Sequence, residues 1–347
     1  MSSVLGEPFT NWMIEDSASR MSSRHPISIA PMMKRTDRHY RYFMRGVSKR
    51  ALLYTEMVTT GALIHGPRKR LLRFHEAEHP ISLQLGGDDP VALAQCARMA
   101  EEAGYDEVNL NVGCPSDRVQ NGQFGASLMK RPERVAEAVA AMKAAVKVPV
   151  TVKHRIGVDD LDQYEDMLRF VDIVSSAHAD RFSVHARKAW LQGLNPKENR
   201  EIPPLRYPEV YELKRVRPNL EIEINGGIRT EEAIEDHLRN VDAVMIGRAV
   251  YENPWLFSDV DVRWYGEAAN PTSRRIEAVE RMIPYIEAHV REGGSVFHVI
   301  KHMLGTFSGQ PRGKWWRRFI SERFTGGAGD VATFREAIDG MTRTVAA

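Results

Sequence analysis

The stretch Ile81–Asn111, ISLQLGGDDPVALAQCARMAEEAGYDEVNLN, carries one unit of the fold in linear form. Ile81–Leu85 is a short apolar segment and reads as a strand. Pro90–Ala103 is Ala-rich and amphipathic, which is the pattern of a surface helix. Glu107–Asn111 is a second short strand. Strands alternating with helices in this way pair in parallel.

The same alternation runs outward in both directions. Strands are predicted at Ile27–Ala30, Leu53–Val58, Ile81–Leu85, Glu107–Asn111, Val148–Lys153, Arg181–His185, Glu221–Ile224 and Ala243–Ile246. Helices are predicted at Asp37–Gly46, Pro90–Ala103, Pro132–Ala145, Asp162–Ser176, Pro208–Val216 and Glu231–Leu238. Eight such strands in an α/β chain predict a (β/α)8 TIM barrel. A doubly wound sheet is rejected because no Gly-rich dinucleotide turn follows the first strand. The barrel is assigned to residues 26–262, and a linker with Gly266, Asn270 and Pro271 to residues 263–272. Beyond it the pattern is helical only: Arg274–Glu292 with a kink at Pro284, then Ser295–Phe307, Gly313–Phe324 and Val331–Val345. Residues 273–347 are therefore expected to form a small all-α helical bundle. Residues 1–25 are expected to be an extended or disordered segment; acidic Glu7, Glu15 and Asp16 and the lack of an apolar stretch argue against a secretory signal.

The chain of 347 residues is 43% hydrophobic and 27% charged, ordinary for a globular protein. No apolar run approaches the ~20 residues that span a bilayer, so no membrane partner is expected. Two cysteines in different contexts argue against a disulfide framework and fit a reducing cytoplasm. Net charge is only +2, yet residues 273–347 carry +4 and the remainder −2. Arg312, Lys314, Arg317, Arg318 and Arg323 lie among Trp315, Trp316 and Phe319. Such a segment can hold phosphates and stack bases. As an amphipathic helix it would bury at least one tryptophan and leave the basic side chains available. A monomer is the expected state.

In a barrel of this kind the C-terminal strand ends face the active site. Those ends carry Pro31-Met32-Met33, Gln84, Asn111 with Cys114, Lys153, His185, Asn225-Gly226-Gly227 and Gly247-Arg248. Glycines after the seventh and eighth strands let backbone N–H groups approach a phosphate, and Arg248 can add a charge-assisted bond. No Walker-type lysine loop is present, so the phosphate belongs to a bound cofactor. Lys153 would be expensive to bury without an anionic partner. Gln84 offers an amide suited to a uracil-like edge. His185 taken alone reads as a satisfied core histidine. Cys96 lies in a helix and reads as a small hydrophobe. Cys114 sits in a Gly-Cys-Pro turn before a loop, Ser116–Ala126, long enough to close over a site about Gly122 and Gly125.

Asn109–Met129, NLNVGCPSDRVQNGQFGASLM, closely resembles the signature of the tRNA-dihydrouridine synthases. Ala30-Pro31-Met32-Met33, Gln84-Leu85-Gly86-Gly87, Val152-Lys153-His154-Arg155, Val184-His185-Ala186-Arg187, Asn225-Gly226-Gly227 and Ile246-Gly247-Arg248 follow that family's order and approximate spacing. Lys197–Leu205, KENREIPPL, is similar to its A-type branch. The resemblance covers the chain from about Ile27 to the C-terminus. It implies FMN held by Pro31, Met32, Met33, Gln84, Lys153, His185, Asn225, Gly226, Gly227, Gly247 and Arg248. It implies that NADPH, or alternatively NADH, reduces the flavin, that hydride passes from flavin N5 to uracil C6, and that Cys114 protonates C5. A thiol is mostly protonated at neutral pH, which suits a proton donor. Asn111 would orient the base. Arg187, Lys197, Arg200, Lys314 and Arg317 would hold tRNA at its D-loop and elbow, with uridines 20 and 20a as targets. The base must leave its stack to enter a barrel. A flavin barrel acting on a free pyrimidine would have no use for the basic helical segment. A tRNA chaperone with a decayed site would not keep every expected site residue.

Overall fold

The computed structural model describes residues 23–116 and 122–342. Its strands are β1 (Ile27–Ile29), β2 (Leu52–Tyr54), β3 (Val58–Thr59), β4 (Ile81–Gly86), β5 (Glu107–Val112), β6 (Val150–Arg155), β7 (Arg181–His185), β8 (Ile222–Asn225) and β9 (Ala243–Ile246). Every pairing is parallel. β1 pairs with both β2 and β9, and β2 pairs with β4, so the sheet closes. The result is an eight-stranded parallel barrel, with β3 lying on β4 beyond the end of β2.

The expected second strand, Leu53–Val58, is thus broken into β2 and β3. β4 pairs with β2 at Ile81 and Ser82 and with β3 at Leu85 and Gly86. Between them the Thr55 hydroxyl takes the Gln84 N–H at 3.1 Å, replacing the missing ladder bond. Two short helices, Thr60–His65 and Arg68–Leu71, fill a connection where no helix is predicted. Between β4 and β5 the helix Pro90–Glu102 starts where expected, because the Asp89 carboxylate accepts from the N–H groups of Val91 and Ala92. Cys96 is buried in it as a core residue, and burial pushes its thiol up to about 11.

Parallel strands covered on both faces usually read as continuous apolar runs. These alternate. The outward set, such as Leu83, Val108, Leu110, Val150 and Val152, packs with Leu93, Val135, Val139 and Met142 of the helices in one hydrophobic cluster. The inward set is largely polar and buried, with Ser28, Ser82, Gln84, Glu107, Asn109, Thr151, Arg181, Ser183 and Glu223 beside a small apolar cluster of Ala30, Leu52, Tyr54 and Met245. At its base Arg181 donates to Glu107 at 2.5 Å, with Glu223 at 3.7 Å and Glu221 at 3.5 Å. Glu107 also accepts from Tyr54, Ser82 and Thr151. Glu223 accepts from Ser28 and Ser183.

His154, on the outer face of β6, is fully buried against Phe170 and Phe182. Burial, with a smaller push from Lys153, lowers its imidazole to about 4. The folded state therefore binds this proton less readily than the unfolded chain, whose histidine titrates near 6.5. Its contribution to stability is complete above pH 6.5 and falls as pH drops from there towards 4. Urea unfolding of His154→Met across that window is expected to have a shallower pH slope than wild type, by up to one proton. An unchanged slope would mean that His154 is charged in the fold.

Beyond the barrel come the helices Arg275–Glu280, Ile283–Arg291, Val296–Ile300, Gly313–Phe324 and Val331–Thr342. Pro284 does not kink a continuous helix. It opens a new one, in the first turn where its missing N–H costs nothing. Trp316 is wholly buried, its indole N–H donating to the Met303 carbonyl at 3.0 Å. The region docks on the barrel through Asp37, which caps the helix Arg38–Arg45 and takes His302 Nε2 at 3.0 Å, and through His39 and Tyr285 at 2.8 Å. Residues 1–22 of the expected N-terminal segment lie outside the described residues. Among the described residues, no helix is long and apolar enough to cross a membrane.

Candidate active site

A cavity of about 450 Å³ opens at the C-terminal ends of the barrel strands. Pro31, Met32 and Met33 line it from β1, Gln84 from β4, and Asn111 and Cys114 from β5. Lys153, His185, the turn of Asn225, Gly226 and Gly227, and Gly247 with Arg248 complete the wall from β6 to β9. The strand-end residues singled out in the sequence thus converge on one cavity. The break between β2 and β3 adds Met57.

Side-chain amides order the β4–β5 side. The Asn111 amide donates to Gln84 Oε1, Gln84 donates to Asn109 Oδ1, and Asn109 donates to Thr151 Oγ1, each at 2.8 Å. Thr151 in turn donates to Glu107 at 2.8 Å. At the upper end Asn111 Oδ1 accepts the N–H groups of Gly113 at 3.1 Å and Cys114 at 3.0 Å. This Asx turn fixes the backbone under the cysteine. Cys114 Sγ lies 3.5 Å from Ser116 Oγ. The Ala126 N–H donates to the Cys114 carbonyl at 2.9 Å and joins the far end of the loop to its start. Gly125, one of the two pivots expected for a lid, has a φ of 69°, in the region that favours glycine. Residues 117–121 of that lid lie outside the described residues.

Lys153 Nζ donates to Asn225 Oδ1 at 3.1 Å, and Asn225 donates to the Met245 carbonyl at 2.7 Å. Burial, then the Arg155 charge, pushes Lys153 down to about 8. Lys153 does not end its strand as expected. β6 continues to Arg155, which pairs in register with His185. The Arg155 guanidinium donates to the carbonyls of Gly113, Lys188 and Asn199, tying the cysteine loop to the loop after β7. Sequence reading missed this brace, although Arg155 stands inside one of the matched motifs.

His185 is not the satisfied core histidine its sequence context suggests. Its Nδ1 is sealed from solvent without a partner among the described residues. Burial, then Arg155 and Lys153, hold the ring well below its ordinary pKa, so it is neutral. Gly226 and Gly227 have φ values of 118° and 72°, a region that favours glycine. A Cβ on Gly227 would collide with Leu205 and lie 2.9 Å from the Tyr207 hydroxyl. Among the described residues, no backbone carbonyl accepts from the N–H of Gly226, Gly227 or Gly247. Arg248 opens a short helix and pairs with Glu201 at 3.0 Å.

Among the described residues, six cations, Arg35, Lys153, Arg155, Arg200, Arg229 and Arg248, line the cavity, and no carboxylate does. An orphaned imidazole nitrogen, a lysine without a carboxylate partner and a glycine turn with free N–H groups fit an anionic, phosphate-bearing heterocycle. Of the residues expected to meet RNA, only Arg200 lines the cavity. Arg187 donates instead to the carbonyls of Glu201 and Pro203 and braces the loop. Lys197 is exposed on that loop. Lys314 and Arg317 are exposed on one face of the helix Gly313–Phe324, whose other face buries Trp316 and Ile320.

A solved structure, the complex of 2-naphthoyl-CoA reductase with 2-naphthoyl-CoA, is similar to this chain with a TM-score of 0.50 at 12% identity. The likeness covers 68% of this chain and 49% of the reductase, and at that identity it is one of fold. Curated relatives are far nearer in sequence. A Synechocystis protein named tRNA-dihydrouridine(20/20a) synthase is 58% identical over 87% of this chain and 90% of its own length. Proteins of the same name from Shewanella oneidensis and Shigella flexneri are 57% and 52% identical, over 85% and 90% of this chain and 88% and 91% of their own. Residues 28–339 match the family described as Dihydrouridine synthase (Dus). With its barrel, its cysteine loop and these relatives, the chain belongs to the dihydrouridine synthase family.

Proposed function

We propose that this protein reduces uridine to 5,6-dihydrouridine at positions 20 and 20a of the tRNA D-loop, with FMN as cofactor and NADPH, or alternatively NADH, as reductant. The observation that supports it most is the meeting of the Cys114 thiol with a cation-lined, phosphate-suited cavity, in a chain whose relatives carry that activity in their names. When bound, FMN supplies the hydride for uracil C6. Gln84 and the 31–33 backbone hold the ring, and Lys153 balances negative charge on it. His185 Nδ1 takes the bond it lacks. The Gly226–Gly227 turn and the Gly247–Arg248 helix start receive the phosphate. Asn111 orients the uracil, and Cys114 Sγ gives its proton to C5. Residues 273–347 serve as a tRNA-binding domain, with Lys197 and Arg200 meeting the RNA on the barrel face and Arg187 stiffening their loop. The enzyme works as a cytoplasmic monomer.

Mass spectrometry of dihydrouridine in bulk tRNA, with the gene deleted and restored, tests this. Loss confined to positions 20 and 20a, recovered on restoration, is the expected result. Unchanged dihydrouridine with flavin bound to the purified protein would turn the reading to a free-pyrimidine reductase. Replacing Lys314 and Arg317 together by alanine is expected to weaken tRNA binding about tenfold at low salt and to flatten its salt dependence by a slope of about 2. Equal affinity across salt would move the RNA footprint elsewhere.

A further inference from the structure

Among the described residues, arginines that are not exposed to solvent are rarely left without an acceptor. Arg41 pairs with Glu78 at 2.6 Å, Arg206 with Asp162 at 2.6 Å, Arg217 with Asp172 at 2.6 Å and Arg248 with Glu201 at 3.0 Å. Two arginines of the cavity wall break this pattern. Among the described residues, neither the Arg35 nor the Arg200 guanidinium has a carboxylate or carbonyl partner, though both are half-buried. Arg35 Nη1 is a donor sealed from solvent with nothing to bond. Its guanidinium lies 4.8 Å from the centre of the Tyr251 ring, a cation–π contact that leaves its N–H groups unbonded.

The backbone aims Arg35 there. Lys34 has a φ of 62°, an uncommon conformation for a non-glycine residue. The turn is held on both sides: the N–H groups of Arg35 and Thr36 donate to the Met32 carbonyl at 3.1 and 3.0 Å, and Met32 N–H donates to the Thr36 hydroxyl at 3.0 Å. Strain of this kind persists where the surroundings enforce it and gathers at ligand clamps. Arg200 is fixed from the other side. The carbonyl of neighbouring Asn199 accepts from Arg155, and the Arg200 carbonyl lies 3.4 Å from an Arg248 nitrogen. Arg35 and Arg200 line the same cavity, and burial, then the charges of Arg248 and Arg35, lower the Arg200 pKa.

We propose that Arg35 and Arg200 form a clamp for one phosphate group at the cavity wall, separate from the glycine turns that take the cofactor's phosphate. Two half-buried like charges without an anion are costly, and a phosphate between them satisfies both with charge-assisted bonds. The ligand is a nucleotide phosphate, from either the tRNA strand beside the extruded uridine or the nicotinamide dinucleotide. The tRNA source rests on the function proposed above.

The test uses flavin-loaded protein, wild type, Arg35→Ala and Arg35→Lys. With unmodified tRNA transcript, Arg35→Ala is expected to bind about tenfold more weakly, with a salt slope reduced by about 1. Arg35→Lys keeps the slope but not the full affinity, because an ammonium cannot bond bidentately. If the loss falls on the rate of flavin reduction at low NADPH instead, the clamp holds the dinucleotide. Inorganic phosphate, titrated calorimetrically, is the arm independent of RNA. Weaker phosphate binding in Arg35→Ala supports the clamp even if the protein makes no dihydrouridine, which would sink the tRNA function alone. Equal phosphate, tRNA and NADPH behaviour in Arg35→Ala and wild type would overturn the clamp.

Discussion

Cys114→Ala is expected to retain flavin and to lose turnover on tRNA about 10²–10⁴-fold, the usual contribution of a positioned general acid. The retention follows from what holds the loop. Asn111 Oδ1 secures the backbone N–H of Cys114, and Arg155 secures the Gly113 carbonyl. Neither bond uses the thiol. Among the described residues, the hydrogen-bond partner of Sγ is Ser116 Oγ at 3.5 Å. Deleting the sulfur therefore removes a proton and leaves its surroundings in place. Flavin absorbance of the purified variant and single-turnover oxidation of its reduced flavin by tRNA separate the two readouts. Colourless protein would assign Cys114 a structural role, and turnover near wild type would place the acid elsewhere.

Arg181→Met is expected to cost about 3–5 kcal/mol of stability, the range for removing one partner of a buried ion pair. Burial alone would push the Arg181 guanidinium down in pKa, yet Glu107, Tyr54 and Glu223 around it raise it well above its ordinary value. Without that cation Glu107 and Glu223 share the closed base of the barrel with no counter-charge. Burial already pushes the Glu223 carboxyl up, and losing the Arg181 charge that opposes this favours its protonation further, so the loss is greater at pH 8 than at pH 5. Urea denaturation at the two pH values measures it. A loss below about 1 kcal/mol at pH 8 would mean that water or relaxation replaces the arginine.

Much of this architecture is legible in the chain. The βα rhythm around Pro90–Glu102 gives the barrel, because apolar outer faces recur between helices. The glycine pair at 226–227 and the cysteine turn announce the mouth of the barrel, since both need special backbone. Other features depend on partners distant in sequence. Thr55 interrupts the second strand because it bonds Gln84, a residue of the next strand. His154 and Arg155 fall outside the strand predicted to end at Lys153, yet both belong to β6, where His154 packs outward on Phe170 while Arg155 crosses to the next loop. Arg187 looks free for RNA, and only the folded loop supplies its carbonyls. Arg35 carries no motif at all and becomes visible only as a donor without an acceptor.

A carboxylate accepts only, so Thr151 must spend its proton on Glu107 and offer a lone pair to Asn109. That choice forces the oxygen of Asn109 towards Gln84, and the oxygen of Gln84 towards Asn111. The oxygen of Asn111 is then the one left for the backbone of Cys114. Every amide in the series has a single polarity, set by an anion at the closed end and read at the open one. The N–H groups of Gly113 and Cys114 donate only and demand the same polarity from the open end, so the face of Gln84 shown to a bound ring is fixed from both sides.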